Sequence, residues 1–383
     1  VETVICGRRV LLPDGEIGPA TLYVQNGIIE HCVAGTRAQA DYEAGDLLIA
    51  PGIVDLHGDA YERQLHPRPR VGVPFEVGLL ETDRQMIANG ITTAFHGLTV
   101  TWEPGSRDIE AARATFDALD RVRPRLRCDT KIHLRHEVLS LDTVDECCTW
   151  IRDGRIALAA INDHRHMVHR DIASGIRRNS VSIEFDKYKE LAAIMFAREA
   201  EIPATIERLT GAAREQEIPL ASHDDESPEM REHFRALGCT ISEFPADIAT
   251  AGAARACGED VVLGSPNILR GGSHCGRAGA AEMILAGLCT VLCSDYYYPS
   301  LLIAPFLLAA RRVVSLADAW ALVSSAPARA AKLDDRGTLG SGQRADILLI
   351  DDHDPIHPEV KAAFVAGAAV HASNWELAAA SFS

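Results

Sequence analysis

What the chain has little of narrows its class first. Aromatic residues make up 5% of the 383 residues, lysines number five against 33 arginines, and no stretch concentrates positive charge. With 38 basic and 54 acidic side chains the formal charge is −16. A protein that acidic is ill suited to a nucleic-acid backbone or an anionic membrane. The ten cysteines include no CxxC pair, and several, such as Cys239 and Cys293, lie in apolar runs. They read as reduced core thiols, which excludes a disulfide framework and a zinc ribbon. The longest apolar stretch, residues 300–310, is about half a membrane span and contains Pro305. The opening VETVICGRRV reads as a strand and lacks the charged and apolar regions of a signal peptide, so a cytoplasmic protein is expected. No GxGxxG follows an early strand, which takes away the main support for a doubly wound nucleotide-binding sheet. The excess of arginine fits forked contacts to carboxylate or phosphate, but a GC-rich genome gives the same bias.

What is present is ordinary in amount, 47% hydrophobic and 24% charged residues, and informative in order. Residues 1–50 alternate strand-like runs with turns, including Asn26-Gly27, and the end from about Arg344 looks alike. Between them, short apolar runs ending in polar residues alternate with helical stretches. The runs are 53–59, 91–98, 130–138, 156–164, 218–225, 240–245, 261–266 and 290–297. The main helical stretches are 107–122, 188–216 and 315–332. Eight strands alternating with helices predict a (β/α)8 barrel of the TIM type over 51–335. The two ends, 1–50 and 336–383, are expected to join in a small β-sandwich. The segment from Asp247 reads as an ordinary barrel helix, and Glu81, Asp83 and Arg84 as a solvated helix face.

His, Asp and Glu fall where such a barrel places function. Strand one ends His57-Gly58-Asp59, and residues i and i+2 of a strand share a face, so both side chains can reach one ion. Glu137 ends strand three, His164 strand four, His223 the next and Asp295 the last. Three imidazoles and three carboxylates on one rim suit Zn²⁺, Mn²⁺ or Fe²⁺ better than Ca²⁺. Each residue has a plainer reading alone: a paired core histidine, a loop histidine at 164, helix caps at 223–225 and 295. Six such coincidences favour a metal cluster.

The segment APGIVDLHGDAYERQ, a β-rich end before it and GTLGSGQRADILLI after it resemble the amidohydrolase superfamily. HPRPR (66–70), GITTAFHGLT, LRHE, LASHDDE, EFPA, SPNILRGGSHCG and SDYYYPSLL resemble one branch, the diphosphatases of phosphonate utilisation by the carbon–phosphorus lyase route. That branch converts α-D-ribose 1-methylphosphonate 5-triphosphate to the 5-monophosphate and pyrophosphate. The resemblance implies two divalent ions, zinc first, held by His57, Asp59, Glu137, His164, His223 and Asp295. It makes Glu137 the bridge, and Asp295 the residue that orients the attacking water and takes its proton. Glu137, His164 and His223 fall on strands three to five, one earlier than some relatives use for the two histidines; either a strand is missed or the second-metal ligands differ.

A triphosphate needs further cations, and Arg270 in LRGGSH leads, with Ser273 and His274 in the same loop. Arg68, Arg135 and Tyr297 complete the expected substrate contacts, although Arg135 could equally stack inside the barrel. The branch continues H-T-D-N where this chain has HGDA. Gly58 and Ala60 predict a less polar pocket and a substrate that can differ. His96, His133, His136, His166 and His169 are extra. A small phosphorylated partner and a homodimer are expected. Two other readings stay open: hydrolysis of a C–N bond by the same centre, and a barrel with no catalysis.

Overall fold

The computed structural model describes residues 2–37, 39–68, 71–175, 183–272 and 279–373. Five strands come first: β1 (Glu2–Leu11), β2 (Ile17–Gln25), β3 (Ile28–Ala34), β4 (Tyr42–Glu43) and β5 (Leu48–Pro51). The turn from β2 to β3 is the expected Asn26-Gly27. Both residues have positive φ, 52° and 81°, the conformation that a tight hairpin asks of Asn-Gly.

The barrel strands follow. They are β6 (Ile53–Gly58), β7 (Ile91–Val100), β8 (Asp129–Glu137), β9 (Leu158–Asn162), β10 (Leu220–His223), β11 (Ile241–Glu243), β12 (Asp260–Gly264) and β13 (Val291–Cys293). Each overlaps one of the eight expected runs, and they pair in parallel in chain order. Such strands are buried on both faces, so they appear in sequence as continuous apolar runs; all ten residues of β7 are buried. Val54, Leu56, Phe95, Leu158, Ala160, Ala221, Ile241, Val262, Val291 and Cys293 fill the interior. The last strand returns to the first. Gly58 bridges Asp295, the Asp295 amide donates to the His57 carbonyl, and the Asp59 amide to the Asp295 carbonyl, each at 2.9 Å. Asp55 locks this seam by accepting from the Ser294 hydroxyl at 2.6 Å and its amide at 3.0 Å.

After the barrel come β14 (Ile347–Asp351), β15 (Glu359–Val365) and β16 (Ala368–Ala372). They join the first five strands in one eight-stranded sheet, in which Leu348 of β14 sits opposite Ala50 of β5. Ile5, Leu22, Ile29, Ile49, Ile347, Leu349 and Phe364 form its core.

The helices refine the expectation. The 107–122 stretch is the helix Ile109–Val122, capped by the Asp108 side chain, and Asp247 likewise caps Ile248–Ala256. The 188–216 stretch is two helices, Phe185–Phe196 and Ile202–Glu215, because Pro203 starts the second and cannot continue the first. The 315–332 stretch divides into Leu316–Ala321 and Ser325–Ala330. Asp83 departs from the solvated face. It is buried and accepts the Arg127 and Cys128 amides, both at 2.9 Å, whereas Glu81 and Arg84 do pair in solvent. No described helix is long and apolar enough to cross a membrane.

Candidate active site

Parallel strands share one carboxyl rim, so the polar residues that end them converge there. Glu137 and His223 end the third and fifth barrel strands and His164 follows the fourth by two residues, with eight barrel strands among the described residues. Two groups of metal-competent atoms lie side by side. His57, His133 and Glu243 form a fully buried group, and His164, His223 and Asp224 a half-buried one. Within each, the ligand atoms lie within 4.8 Å of one another. The rings of His57 and His223, 5.4 Å apart, join the groups. Glu137 belongs with the second: its Oε1 is 2.8 Å from His164 Nδ1, and His164 Nε2 is 3.3 Å from Asp224 Oδ2.

These residues fit a divalent ion. His133 Nε2 and Glu243 Oε2 are buried with no hydrogen-bond partner, and bare lone pairs of that kind are costly unless something binds them. Mixed imidazole and carboxylate donors suit a zinc-like ion. The electrostatics agree. Burial opposes charge on His164, yet Glu137 and Asp224 push its pKa up to about 10, so this spot favours a positive charge of either kind. Burial pushes His133 down to about 3, leaving a neutral ring. Against its own burial, Glu137 is held below the usual carboxylate value by His164 and Arg135. Burial, then the charge of Asp59, raises Asp295 to about 7.

Asp59 stands apart from both groups. Its Oδ2 is 3.3 Å from Arg107 Nη2 and 3.5 Å from Arg135 Nη1. Arg107 is anchored in turn by Glu62 at 2.7 and 2.8 Å. The buried Arg135 Nη2 donates to His223 Nε2 at 2.9 Å, so this arginine lies in the site and not in the apolar interior. Asp224, Phe244 and Asp295 all have positive φ, between 53° and 57°. The ring of Phe244 packs on His57 and His223 at 5.0 and 5.2 Å.

The helix-cap readings fail, whereas His57 is indeed paired in the core, with Glu243, and His164 does lie in the loop after β9. Ser227, not residues 223–225, caps the helix Pro228–Ala236, and Asp225 turns to Arg231, Ser222 and Ser242. Asp295 caps nothing, since the helix Pro299–Ala310 begins after Tyr298. His164 makes no side-chain cap bond. Of the expected substrate contacts among the described residues, only Arg135 reaches the imidazoles. Arg270 is exposed with its Nη1 3.4 Å from the Tyr296 hydroxyl, Arg68 is exposed on a bridge to Val71, and Tyr297 is 44% exposed. Ser273 and His274 lie outside the described residues. Gly58 has a packing reason. A β-carbon there would meet Asp55 Oδ2 at 2.8 Å, Ser294 Oγ at 2.9 Å and Tyr298 Cε1 at 3.2 Å, so the threonine of the branch pattern does not fit this seam.

The sequence reading assigns no metal role to Glu243, His133 or Asp224. Glu243 carried the usable signal, since it ends β11 as His57 nears the end of β6.

A closed parallel barrel with imidazoles and carboxylates gathered on its carboxyl rim, joined to a sheet from both chain ends, is the amidohydrolase fold with a rim that could hold divalent metal. Solved structures share that architecture. N-acetyl-D-glucosamine-6-phosphate deacetylase from Mycobacterium smegmatis has a TM-score of 0.63 at 18% identity, covering 96% of this chain and all of that one. 5-Methylcytosine deaminase from Klebsiella pneumoniae has a TM-score of 0.65 at 15% identity, covering 98% of both chains. An amidohydrolase from a Sargasso Sea environmental sample has 0.65 at 15%, over 97% and 93%. No family model matches the sequence. The α-D-ribose 1-methylphosphonate 5-triphosphate diphosphatase of Escherichia coli K12 is 32% identical over 362 residues, 90% of this chain and 94% of that protein. The chain belongs to the family of that diphosphatase.

Proposed function

We propose that the protein hydrolyses the 5-triphosphate of a ribosyl alkylphosphonate to the 5-monophosphate and pyrophosphate, using two zinc ions. The observation that carries this reading is the 32% identity to a diphosphatase across 90% of the chain. The deacetylase and deaminase structures, at 18% and 15%, share only the fold.

His57, Glu137, His164, His223 and Asp295 would hold the ions, whose charge would lower the pKa of a nearby water and offset that of the phosphates. Asp295, at the carboxyl rim beside Asp59, is placed to accept the proton of the attacking water. As the new P–O bond forms, the bond to the pyrophosphate oxygen breaks, and Asp295 passes the proton on. Arg135 reaches the same space and pairs with phosphate oxygens. Arg270, Ser273 and His274, with Arg68 and Tyr297 further out, extend the anion contacts toward the rim. Catalysis of this kind is largely positioning and charge neutralisation.

The test is a product assay by ³¹P NMR. Zinc-loaded protein is given the ribosyl methylphosphonate triphosphate and, in parallel, a nucleoside triphosphate. Pyrophosphate and a 5-monophosphate from the first are expected. No phosphorus product from protein carrying its metal would reject the reading in favour of C–N hydrolysis.

A further inference from the structure

We infer that the first ion of this centre is held by His57, His133 and Glu243, and not by the His57–Asp59 pair. The inference rests on the reading of the chain as a metal-dependent hydrolase. It keeps His57 from the sequence reading and adds His133 and Glu243, to which that reading gave no metal role.

Three observations converge. Asp59 is already committed: Arg107 and Arg135 flank its Oδ2 at 3.3 and 3.5 Å, and Glu62 fixes Arg107 in place. A carboxylate bonded to one guanidinium and facing a second gives up part of their attraction if it turns to a metal. Glu243 is in the opposite state. It is fully buried, its Oε1 is 3.0 Å from His57 Nδ1 and 3.7 Å from His133 Nδ1, and no cationic side chain touches it. Its Oε2 has no partner, and neither has His133 Nε2. An ionised carboxylate enclosed between two imidazoles is strongly disfavoured unless a cation joins it. The third observation is the donor set, two imidazoles and one carboxylate within 4.8 Å, the His₂Glu combination that zinc takes in hydrolases.

The experiment compares zinc bound per chain, and its affinity by chelator competition, in the wild type and the variants Glu243→Gln, His133→Gln and Asp59→Asn. Glu243→Gln keeps the shape and a hydrogen-bond acceptor for His57 but removes the charge. Loss of one of two zinc ions is expected, a fall larger than the roughly 10–100-fold that an outer-sphere partner is worth. His133→Gln is expected to lose the same ion, and serves if Glu243→Gln does not fold. Asp59→Asn is expected to keep both ions at unchanged affinity. Loss of an ion from Asp59→Asn, or full retention by either of the other two, overturns the assignment. Zinc content does not depend on substrate, so a failed product assay with this pattern intact would sink the diphosphatase reading and leave the ligands standing.

Discussion

Two buried arginines at opposite ends of the barrel are treated very differently. Arg336, at the amino-terminal end, is enclosed by partners. Its Nη1 donates to Asp129 at 2.6 Å and to Thr93 at 2.8 Å, and Nε and Nη2 to Asp335 at 2.8 and 3.0 Å. Lys131 and Arg344 share Asp129 at 3.2 and 3.4 Å. Arg135, toward the other end of the same strand β8, makes one bond to an imidazole and a loose contact to Asp59, and its Nε is bare. One guanidinium is finished by the fold and the other awaits something. A barrel separates stability from chemistry along its axis in this way.

The sharpest way to test that division starts with the rim. Asp295→Asn is expected to lower kcat by roughly 10²–10⁴-fold, the worth of a general base, with the unfolding midpoint unchanged. Equal losses of stability and kcat would return Asp295 to a structural role in the seam. Next in size, Arg336→Met takes the nearest cation from the half-buried Asp129, which keeps Lys131 and Arg344, and is expected to cost about 1.5–3 kcal/mol in urea unfolding, while kcat per folded molecule stays at the wild-type value.

A pH titration follows. Against its burial, Asp129 is held below its ordinary value of 3.8 by Lys131, Arg336 and Arg344. A depressed carboxylate contributes stability above its unfolded pKa and loses it as pH falls through the folded one. The penalty of Asp129→Asn, about 1.5–3 kcal/mol at neutral pH, is therefore expected to shrink as pH falls below 3.8, read from paired denaturation curves. A pH-independent penalty would mean that the network works by packing and not by charge. Smallest is Arg135→Met. Arg107 still neutralises Asp59, so stability is expected to fall by less than about 1 kcal/mol, while KM rises about tenfold, the equivalent of about 1.4 kcal/mol.

The same contrast explains what could be read without coordinates. All eight barrel strands were legible because burial on both faces leaves an apolar run that a polar residue ends, and Val54–Leu56 before His57 shows the pattern. The helix 188–216 was not seen as two, although Pro203 marks the break. At the rim, the residue types were legible but their pairings were not. Nothing in the sequence says that Asp59 meets Arg107, which lies on the far side of β7, or that Glu243 faces His57 across the barrel. Asp83 failed for the same reason. Its helix looks solvated in sequence, but the chain after Ile109–Val122 returns over it and brings two amides.

The pairing of β5 with β14 also bears on how the protein is made. Ala50 leaves the ribosome long before Leu348, its partner, so throughout synthesis of the barrel β5 carries an open edge. Contacts that distant in sequence form late, and an unpaired edge strand in a nascent chain is a site for misassociation. The sheet from the two ends is thus the last part to close, and a chain cut before β14 leaves a barrel whose first strand continues into an unsatisfied edge.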